Sequence, residues 1–330
     1  METINLKGKR ILFFSAQFFG YQYEITKAMQ RQGAIVDYFD ERPANNVIVK
    51  ALIRINRNLL SYYIDYYYRK IIQQTQKYTY DYIFITKGES ISEKILAQIK
   101  KVHFKAKVIV YHWDSIANNK NALCLLPFVD RVYSFDKTDC IQYNLCFLPL
   151  FYIDDYTRVC TSPSNIKYEM LFVGTMHSDR YIIVEKIKRL IEGPTYVWLF
   201  FPSIFLYYKA FLQNQYFRKI PKEYFHFKSI TKNEIISLFK KTKIILDIQH
   251  PKQTGLTMRC IEVLGARKKM ITTNESIKDY DFYHPNNIYV IDRNNPVIDN
   301  DFLLSDYMVL PQDIYDKYSI TGWLSQIFCD

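Results

Sequence analysis

The sequence predicts an α/β protein of two domains, each built on a parallel β-sheet. Short apolar strands alternate with helices in both halves of the chain, an order typical of βαβ units with right-handed crossovers. The 330 residues suffice for two domains of about 150 residues each. Residues 152–165 are rich in Asp, Thr, Ser and Pro, and this composition predicts the domain boundary.

The first half of the chain contains the strands and helices of the predicted N-terminal domain. Apolar, β-branched and aromatic runs indicate strands at 10–15, 34–39, 80–86, 106–111, 131–134 and 146–150. The segments between them indicate helices at 24–31, 47–77, 92–101 and 136–143. We therefore expect an N-terminal domain over residues 1–152.

The second half repeats this alternation. Strands are predicted at 168–173, 196–200, 224–227, 243–248, 269–273 and 288–291, and helices at 180–191, 205–215, 232–241 and 258–264. A last helix is predicted over residues 315–328. We expect a C-terminal domain over residues 153–312, followed by a separate segment over residues 313–330.

Polar residues gather in the stretch 243–274, where a strand, a loop, a helix and a second strand follow one another. The loop and the helix start carry Gln249, His250, Thr254 and Thr257, and Thr257 can cap the helix. Ligands of open α/β sheets bind outside the carboxyl ends of the strands. A helix N-terminus at that edge offers free N–H groups to an anion. The stretch therefore predicts an anion-binding site.

Arg259 and Glu262 are three residues apart, so they share one face of this helix near its start. The guanidinium fork of an arginine pairs with two oxygens and suits a diphosphate. A glutamate one turn further on can accept hydrogen bonds from two ribose hydroxyls. The pair therefore predicts a nucleoside diphosphate as ligand. The alternative is an ordinary βαβ unit with a surface Arg–Glu pair.

The pattern Thr-Gly-Leu-Thr-x-Arg-x-x-Glu-x-x-Gly of residues 254–265, followed by a strand that ends in Thr-Thr-Asn, resembles the nucleotide-sugar site of GT-B glycosyltransferases. It looks most like bacterial enzymes that build surface polysaccharides such as lipopolysaccharide O-antigen or capsule. The resemblance implies two Rossmann-like domains that face a cleft, with an acceptor-binding first domain and a C-terminal helix that crosses back to it. It also implies transfer of a sugar from a nucleotide-sugar donor to a saccharide acceptor.

The resemblance further implies roles for individual residues. Glu262 would hold the donor ribose, and basic residues near the helix would hold the diphosphate. Gly174 ends a predicted strand where a phosphate can approach, which is similar to the first turn of the GT-B carboxyl-terminal domain. The candidate donor-binding residues are Gly174, His177, Arg180, His250, Thr254, Gly255, Thr257, Arg259, Glu262 and Lys269.

Polar clusters also end two strands of the first half, with Lys-Gly-Glu-Ser at residues 87–90 and His-Trp-Asp-Ser at residues 112–115. Transfer to a hydroxyl can require a base, for which we prefer Asp114 and place His112 second. Each cluster can instead be a capped loop without a binding role. The candidate acceptor-side residues are Phe19, Gly20 and Tyr21 after the first strand, together with Lys87 and Glu89.

The chain has a formal net charge of +11, and the excess is uneven. Residues 1–150 hold 21 Lys and Arg against 13 Asp and Glu, whereas residues 151–330 hold 23 against 20. The predicted helix 47–77 combines basic residues with the run YYIDYYY, which suits an anionic membrane surface. A core-packing helix explains it equally well. We expect a lipid-linked acceptor and a cytoplasmic enzyme bound at the inner face of the cytoplasmic membrane.

Other classes of protein fit the sequence less well. The six cysteines form no CxxC and no zinc-type spacing, which favours a reduced intracellular protein. We find no signal peptide pattern and no apolar run of about 18 residues that could span a bilayer. Asp-x-Asp is the tripeptide that holds the metal ion in metal-dependent GT-A glycosyltransferases. Two such tripeptides occur, at 279–281 and 299–301, but both come after the predicted donor region. We therefore expect no essential metal and no cofactor besides the nucleotide-sugar substrate. A basic nucleic-acid-binding protein, or a non-catalytic GT-B-like partner, remains the alternative function; the enzyme itself is expected to bind no nucleic acid.

Overall fold

The structure is a computed structural model that describes residues 4–159, 165–176, 179–201, 203–213, 217–251 and 253–329. The chain divides into two compact units. Unit 1 consists of Met1–Leu150 and Ile320–Asp330, and unit 2 consists of Phe151–Ser319. Each unit contains a parallel six-stranded sheet with helices, so the predicted α/β class is confirmed.

The sheet of unit 1 has the strand order β2-β1-β3-β4-β5-β6. Its strands are β1 (Arg10–Ser15), β2 (Ile35–Asp40), β3 (Tyr82–Thr86), β4 (Lys107–His112), β5 (Arg131–Ser134) and β6 (Cys146–Phe147). The helices are α1 (Tyr21–Arg31), α2 (Val47–Asn56), α3 (Ser61–Thr75), α4 (Glu93–Val102) and α5 (Lys137–Tyr143). The central strands β1, β3 and β4 are buried at nearly every position, as expected of parallel strands covered on both faces.

The sheet of unit 2 has the order β12-β11-β10-β7-β8-β9. Its strands are β7 (Tyr168–Thr175), β8 (Thr195–Phe200), β9 (Phe225–His226), β10 (Thr242–Asp247), β11 (Lys269–Thr272) and β12 (Ile288–Val290). The helices are α6 (Asp154–Thr157), α7 (Arg180–Lys188), α8 (Ile204–Gln213), α9 (Lys232–Lys240), α10 (Met258–Gly265), α11 (Asn300–Leu304) and α12 (Gln312–Lys317).

The C-terminal helix α13 (Ile320–Phe328) returns to unit 1, as predicted. The ring of Trp323 lies 4.9 Å from that of Tyr111, and the ring of Phe328 lies 5.0 Å from that of Tyr82. The returning helix starts later than the sequence predicts, because residues 315–328 are not one helix. The carbonyl of Tyr318 accepts a hydrogen bond from the N–H of Tyr152 (2.8 Å), which interrupts the helix after α12.

The predicted helix 47–77 is also divided, into α2 and α3, with a 3₁₀ turn between them. Asn56 leaves the helical conformation, with φ of −159°, and its side chain accepts the N–H of Asn58 (3.0 Å). Asparagine competes in this way with helical hydrogen bonds and starts a new turn. Within the described part of the chain, no helix has both the length and the apolar composition that a bilayer crossing requires.

Candidate functional site

The carboxyl ends of β7, β10 and β11 lie side by side, because these strands are neighbours in the sheet of unit 2. We term this region the unit-2 edge. The segment after β7 leads into α7, and the segment after β10 leads into α10. Both helices therefore begin at the edge where parallel α/β sheets bind their ligands.

Asp247, the last residue of β10, organises the unit-2 edge. Its buried carboxylate accepts hydrogen bonds from the hydroxyls of Thr257 (2.8 Å) and Thr272 (3.2 Å) and from the thiol of Cys260 (3.4 Å). These contacts join the ends of β10 and β11 to the start of α10. Asp247 was not among the predicted site residues, although an acidic residue at the end of a buried strand is a usable signal.

The helix α10 begins at this edge with a capped N-terminus. Thr257 is the N-cap, and its hydroxyl oxygen accepts the N–H of Cys260 (3.4 Å) while its proton is donated to Asp247. The first turn of the helix carries no acidic residue. Thr257, a predicted donor-binding residue, therefore holds the helix start in place, and the helix start is what can meet an anion.

Arg180, the first residue of α7, reaches across the edge from β7 to β10. Its Nε donates to the carbonyl of Ile248 (2.8 Å) and its Nη1 to the carbonyl of Thr175 (2.8 Å). Gly174 leaves room for it, because a Cβ at that position would lie 3.2 Å from Nη1 of Arg180. Burial lowers the pKa of Arg180 to about 10, partly opposed by the charge of Asp247, so the side chain stays cationic at neutral pH.

A second arginine, Arg293, lies at the same edge and was missed by our sequence analysis. It pairs with both carboxylate oxygens of Asp179 (2.7 and 2.8 Å) and donates to the carbonyl of Gln249 (3.1 Å). The charges of Arg293 and Arg259 both lower the pKa of Arg180. Arg259 and Arg293 are therefore near enough to influence Arg180. The unit-2 edge thus holds three guanidinium groups together with the carboxylates of Asp179, Asp247 and Glu262.

Arg259 and Glu262 meet on one face of α10, as their spacing predicts. Nη1 of Arg259 lies 2.7 Å from Oε2 of Glu262. Glu262 is buried, and the guanidinium of Arg259 lies over the ring of Phe239, 5.4 Å from its centroid. The ion pair holds the glutamate carboxylate in a defined orientation one turn beyond the helix start.

His250, Thr254 and Gly255 lie in the loop that joins β10 to α10. The carbonyl of Thr254 accepts the hydroxyl of Ser276 (3.2 Å), and the carbonyl of Gly255 accepts the side-chain amide of Gln253 (3.1 Å). These contacts fix the loop beside the helix start. The predicted donor residue at position 177, His177, lies outside the described residues.

Lys269 does not belong to this site, and its assignment as a donor-binding residue is corrected. It is the first residue of β11 and pairs in register with Ile244, so it lies toward the amino end of the strand. Its ammonium group donates to the carbonyls of Phe302 and Ser305, the latter at 2.6 Å. Lys269 thus anchors the segment around α11 and is directed away from the unit-2 edge.

Ionisable side chains that follow β2, β3 and β4 form one network in unit 1, which we term the unit-1 network: Glu41, Arg42, Lys87, Glu89 and Asp114. The ammonium group of Lys87 lies 3.3 Å from the carboxylate of Glu89 and 3.2 Å from that of Asp114. Arg42 pairs with the same Glu89 carboxylate. Lys87 therefore contacts the preferred base Asp114, and Glu89 joins the network through Lys87.

The turn at Lys87 is held in an unusual conformation. Lys87 has φ of 83° and Gly88 has φ of 68°, and the first value is rare for a residue with a side chain. The carboxylate of Glu41 accepts the N–H groups of Gly88 (2.9 Å) and Glu89 (3.2 Å) and so stabilises the turn. Backbone strain of this kind is found preferentially at functional sites.

The two candidate bases differ in accessibility. The side chain of Asp114 is 35% exposed and accepts a hydrogen bond from the amide of Asn118 (3.1 Å) in addition to the Lys87 contact. His112 is buried, and burial lowers its pKa to about 4. Its Nε2 has no hydrogen-bond partner among the residues that the structure describes. Asp114 is therefore the better placed of the two to meet an acceptor.

Exposed aromatic rings lie beside this network, after β1 and β4. The ring centroids of Phe18 and Phe19 are 4.8 Å apart, and those of Phe18 and Trp113 are 5.9 Å apart. Phe19 is 66% exposed, Gly20 is the N-cap of α1 with φ of 83°, and Tyr21, the first residue of α1, is buried. Phe18 and Trp113 were not among the predicted site residues. Trp113 lies within the predicted cluster 112–115, but its contact with Phe18 joins two loops that are far apart in the chain.

Glu41 gives the unit-1 network a pH dependence. Burial, together with the charge of Glu89, raises the pKa of Glu41 from 4.5 to about 8. Between these values the folded chain holds a proton that the unfolded chain has released, so Glu41 lowers stability progressively as the pH rises.

We expect Glu41→Gln to show a smaller fall of Tm than the parent between pH 5 and pH 8, measured by scanning calorimetry. The exposed Glu93→Gln variant serves as the control, and a Glu41→Gln profile parallel to that of the parent would contradict the assignment.

The two Asp-x-Asp segments hold other parts of unit 2 together. Asp281 accepts hydrogen bonds from Lys317 (2.5 Å) and Tyr318 (2.5 Å), and Asp299 caps α11 by accepting the N–H of Asp301 (3.0 Å). Over the described ranges, no three His, Cys, Asp or Glu side chains are grouped as a bound metal ion would need.

Comparisons with known proteins bear on the fold. No protein-family model and no curated protein matches the chain. Solved structures do match it over nearly its full length. Anabaena Alr3699/HepE in complex with UDP-glucose has a TM-score of 0.61 at 14% identity, over 96% of this chain and 98% of that chain. A glycosyltransferase from Rickettsia africae ESF-5 has a TM-score of 0.55 at 12% identity, over 96% of both chains. The catalytic domain of starch synthase IV from Arabidopsis thaliana, bound to ADP and acarbose, has a TM-score of 0.53 at 8% identity, over 98% of this chain and 95% of that chain.

The chain has the GT-B fold. The matches extend over both units, and the predicted fold class is thereby confirmed. Identities of 8–14% establish the fold alone.

Proposed function

We propose that the chain is a glycosyltransferase that moves a sugar from a nucleotide-sugar donor to a saccharide acceptor. The observation that carries the proposal is the group of three arginines, Arg180, Arg259 and Arg293, at the unit-2 edge beside the start of α10 and near Glu262. Guanidinium groups at a helix start, next to a carboxylate that can bind ribose, match a nucleoside diphosphate. The GT-B fold supports the same interpretation, because proteins of this fold were solved with UDP-glucose and with ADP.

In the proposed reaction, an acceptor hydroxyl attacks the anomeric carbon of the donor sugar. A carbon–oxygen bond to the acceptor forms as the bond to the diphosphate oxygen breaks, and the leaving nucleoside diphosphate keeps that electron pair. Fixed cations and helix N–H groups stabilise the developing charge without reorganising, and the two carbonyl contacts of Arg180 hold it in such a fixed position. Because cations of the chain supply this stabilisation, we propose that the enzyme needs neither a metal ion nor a further cofactor.

Glu262 is proposed to bind the ribose of the donor. An ionised carboxylate accepts hydrogen bonds through both oxygens and suits two neighbouring hydroxyls. Its ion pair with Arg259 fixes its orientation before the donor arrives. Preorganisation of this kind removes part of the entropy cost of binding.

Unit 1 is proposed to bind the acceptor. Asp114 takes the proton of the attacking hydroxyl, and Lys87, 3.2 Å away, positions its carboxylate. The exposed rings of Phe18 and Phe19, with the adjacent Trp113, offer apolar faces against which a sugar ring can pack. Lys87 and Glu89 supply polar contacts beside those faces.

The acceptor is proposed to be lipid-linked, in bacterial cell-surface polysaccharide biosynthesis at the inner face of the cytoplasmic membrane. The segment from α2 to α3 exposes large apolar and aromatic side chains, with 80% for Ile55, 66% for Leu59 and 81% for Tyr62. The basic residues Arg69 and Lys70 are exposed on the same helix pair. Apolar and aromatic residues bordered by cations are typical of surfaces that bind anionic membranes.

Charge removal on this segment is expected to weaken binding to anionic vesicles. Arg57 is unsuitable for such a test, because its guanidinium donates to the carbonyl of Ile91 (2.9 Å) and supports the fold. We expect the triple variant in which Arg69, Lys70 and Lys77 become Gln to bind vesicles of phosphatidylglycerol and phosphatidylcholine about tenfold or more weaker at low salt, since each interfacial cation contributes about 1 kcal/mol.

The control for this experiment removes the same charge elsewhere in unit 1, by changing the exposed Lys7, Lys101 and Lys105 to Gln. Both variants are compared by vesicle sedimentation over a salt series. Equal vesicle affinity of the two variants would argue against a membrane-facing α2–α3 segment, and a soluble acceptor would become the better proposal.

Thermal-shift screening tests the proposed activity without knowledge of the acceptor. The protein is heated alone and with UDP, GDP, CMP or dTDP, and then with the sugar conjugates of the nucleotide that binds. We expect one of these nucleotides to raise Tm in a dose-dependent manner, because a ligand that binds only the folded state stabilises it. If no nucleotide raises Tm, the proposal of a nucleotide-sugar donor fails.

A further inference from the structure

The helix α8 of unit 2 exposes a row of large apolar side chains. The exposed fractions are 58% for Ile204, 72% for Phe205, 57% for Tyr208 and 72% for Leu212. At 3.6 residues per turn these four positions fall within a sector of about 100° on the helix. We term them the α8 face.

The side of α8 next to this face is anchored in the core of unit 2. Tyr207 and Phe211 pack against the core cluster, and the ring of Tyr207 lies 4.9 Å from that of Phe225 and 5.6 Å from that of Phe217. The helix therefore presents apolar residues both inward and outward. The inward residues account for its attachment to the unit, and the α8 face is an exposed apolar patch of the kind that marks an interaction surface.

Positive charge borders the α8 face. Lys209 is exposed on the helix itself, and Arg218 donates to the carbonyls of Phe211 (3.0 Å) and Leu212 (3.0 Å), which places its guanidinium at the C-terminal end of the helix. Residues 203–228 contain five Lys and Arg and one acidic residue. Lys209 and Arg218 at the border of the face therefore favour an anionic partner.

We propose that the α8 face inserts into the interfacial layer of a bilayer that contains anionic phospholipid. Large apolar side chains on one helix face with cations at its border are the composition of helices that lie in the membrane interface. A symmetric dimer through α8 would instead bring the bordering cations of two copies together. Four large side chains also fall short of the roughly 20–30 residues per partner that a stable dimer interface uses.

The inference rests on the membrane association in the proposed function and adds the segment that penetrates the bilayer. The exposed cations Arg69 and Lys70 of α3 act through electrostatics, which salt screens. Insertion of Phe205 and Leu212 removes apolar surface from water and persists at high salt. The two contributions therefore separate when vesicle binding is measured over a salt series.

Vesicle sedimentation of the double variant Phe205→Ser/Leu212→Ser tests the proposal, with vesicles of phosphatidylglycerol and phosphatidylcholine at low and high salt. We expect its affinity at high salt to fall about tenfold or more, because two large apolar side chains lose their burial in lipid. The matched control is Leu304→Ser/Val309→Ser, which removes two side chains of the same unit that are 84% and 70% exposed outside the α8 face. Its affinity should equal that of the parent.

Fluorescence of the Phe205→Trp variant gives a second, direct measurement, taken as the difference from the parent. We expect emission at shorter wavelength with vesicles and quenching by brominated acyl chains, whereas the Leu304→Trp control should show neither. Unchanged affinity of the double-serine variant at high salt, or unchanged emission of the Phe205→Trp variant, overturns the proposal. A dimer of the parent that the double-serine variant abolishes also overturns it, and assigns the face to a second copy. A parent that ignores vesicles yet gains stability from a nucleotide refutes this inference and leaves the donor site intact.

Discussion

The Arg180→Ala variant is expected to lose about 10²- to 10³-fold in turnover, the cost typical of removing one preorganised donor from a developing anion. Arg180 is fixed by the carbonyls of Ile248 and Thr175, so its charge is in place before the diphosphate leaves. The variant removes that charge from the centre of the unit-2 edge. The measurement is steady-state release of the nucleoside diphosphate from the nucleotide sugar that the thermal-shift screen identifies.

The matched control for this variant is Arg189→Ala, an exposed arginine at the other end of the same helix. It loses the same charge and should turn over like the parent. Arg180→Lys should recover part of the lost rate, because it restores the charge without the guanidinium fork. Tm values of all three variants show whether the fold is kept. A turnover of Arg180→Ala equal to that of Arg189→Ala would remove Arg180 from the proposed mechanism.

The Glu262→Ala variant is expected to bind the nucleoside diphosphate roughly ten- to a hundredfold more weakly, because a hydrogen bond to a charged group contributes about 1.5–3 kcal/mol. Glu262 is buried and oriented by Arg259, so its loss also frees that arginine from its partner. Titration calorimetry measures the affinity directly.

A deoxynucleotide separates the ribose contact from these indirect effects. Removing the 2′- or 3′-hydroxyl of the ligand should weaken binding to the parent but change little in Glu262→Ala, because the partner of the hydroxyl is already absent. If the parent and the variant discriminate equally against the deoxynucleotide, Glu262 does not contact the ribose.

The alternation of strands and helices was predictable because burial on both faces of a parallel sheet leaves continuous apolar runs in the sequence. The spacing of Arg259 and Glu262 was equally informative, since three residues on a helix bring two side chains to one face. The breaks within the two long predicted helices, 47–77 and 315–328, were harder to predict from the sequence. Asn56 and Tyr318 end their helices through single hydrogen bonds that have no periodic signature.

Arg293, Phe18 and Trp113 were not predicted, because their roles depend on contacts distant along the chain. Arg293 reaches the unit-2 edge from the segment after β12 and pairs with Asp179, which no local pattern reveals. Phe18 and Trp113 come together from loops after two different strands for the same reason. The error at Lys269 has another cause: a residue that begins a strand lies at its amino end, and ligands bind at the opposite end.

Calorimetric titration of UDP, GDP, CDP and dTDP tests most directly whether the unit-2 edge binds a nucleoside diphosphate. The parent, Arg180→Ala and the surface control Lys278→Gln are titrated under the same conditions; the side chain of Lys278 is 49% exposed. One nucleotide should bind the parent and Lys278→Gln with the same Kd and bind Arg180→Ala much more weakly. If none of the four binds the parent, or if Arg180→Ala binds like the parent, the unit-2 edge is not a nucleoside diphosphate site.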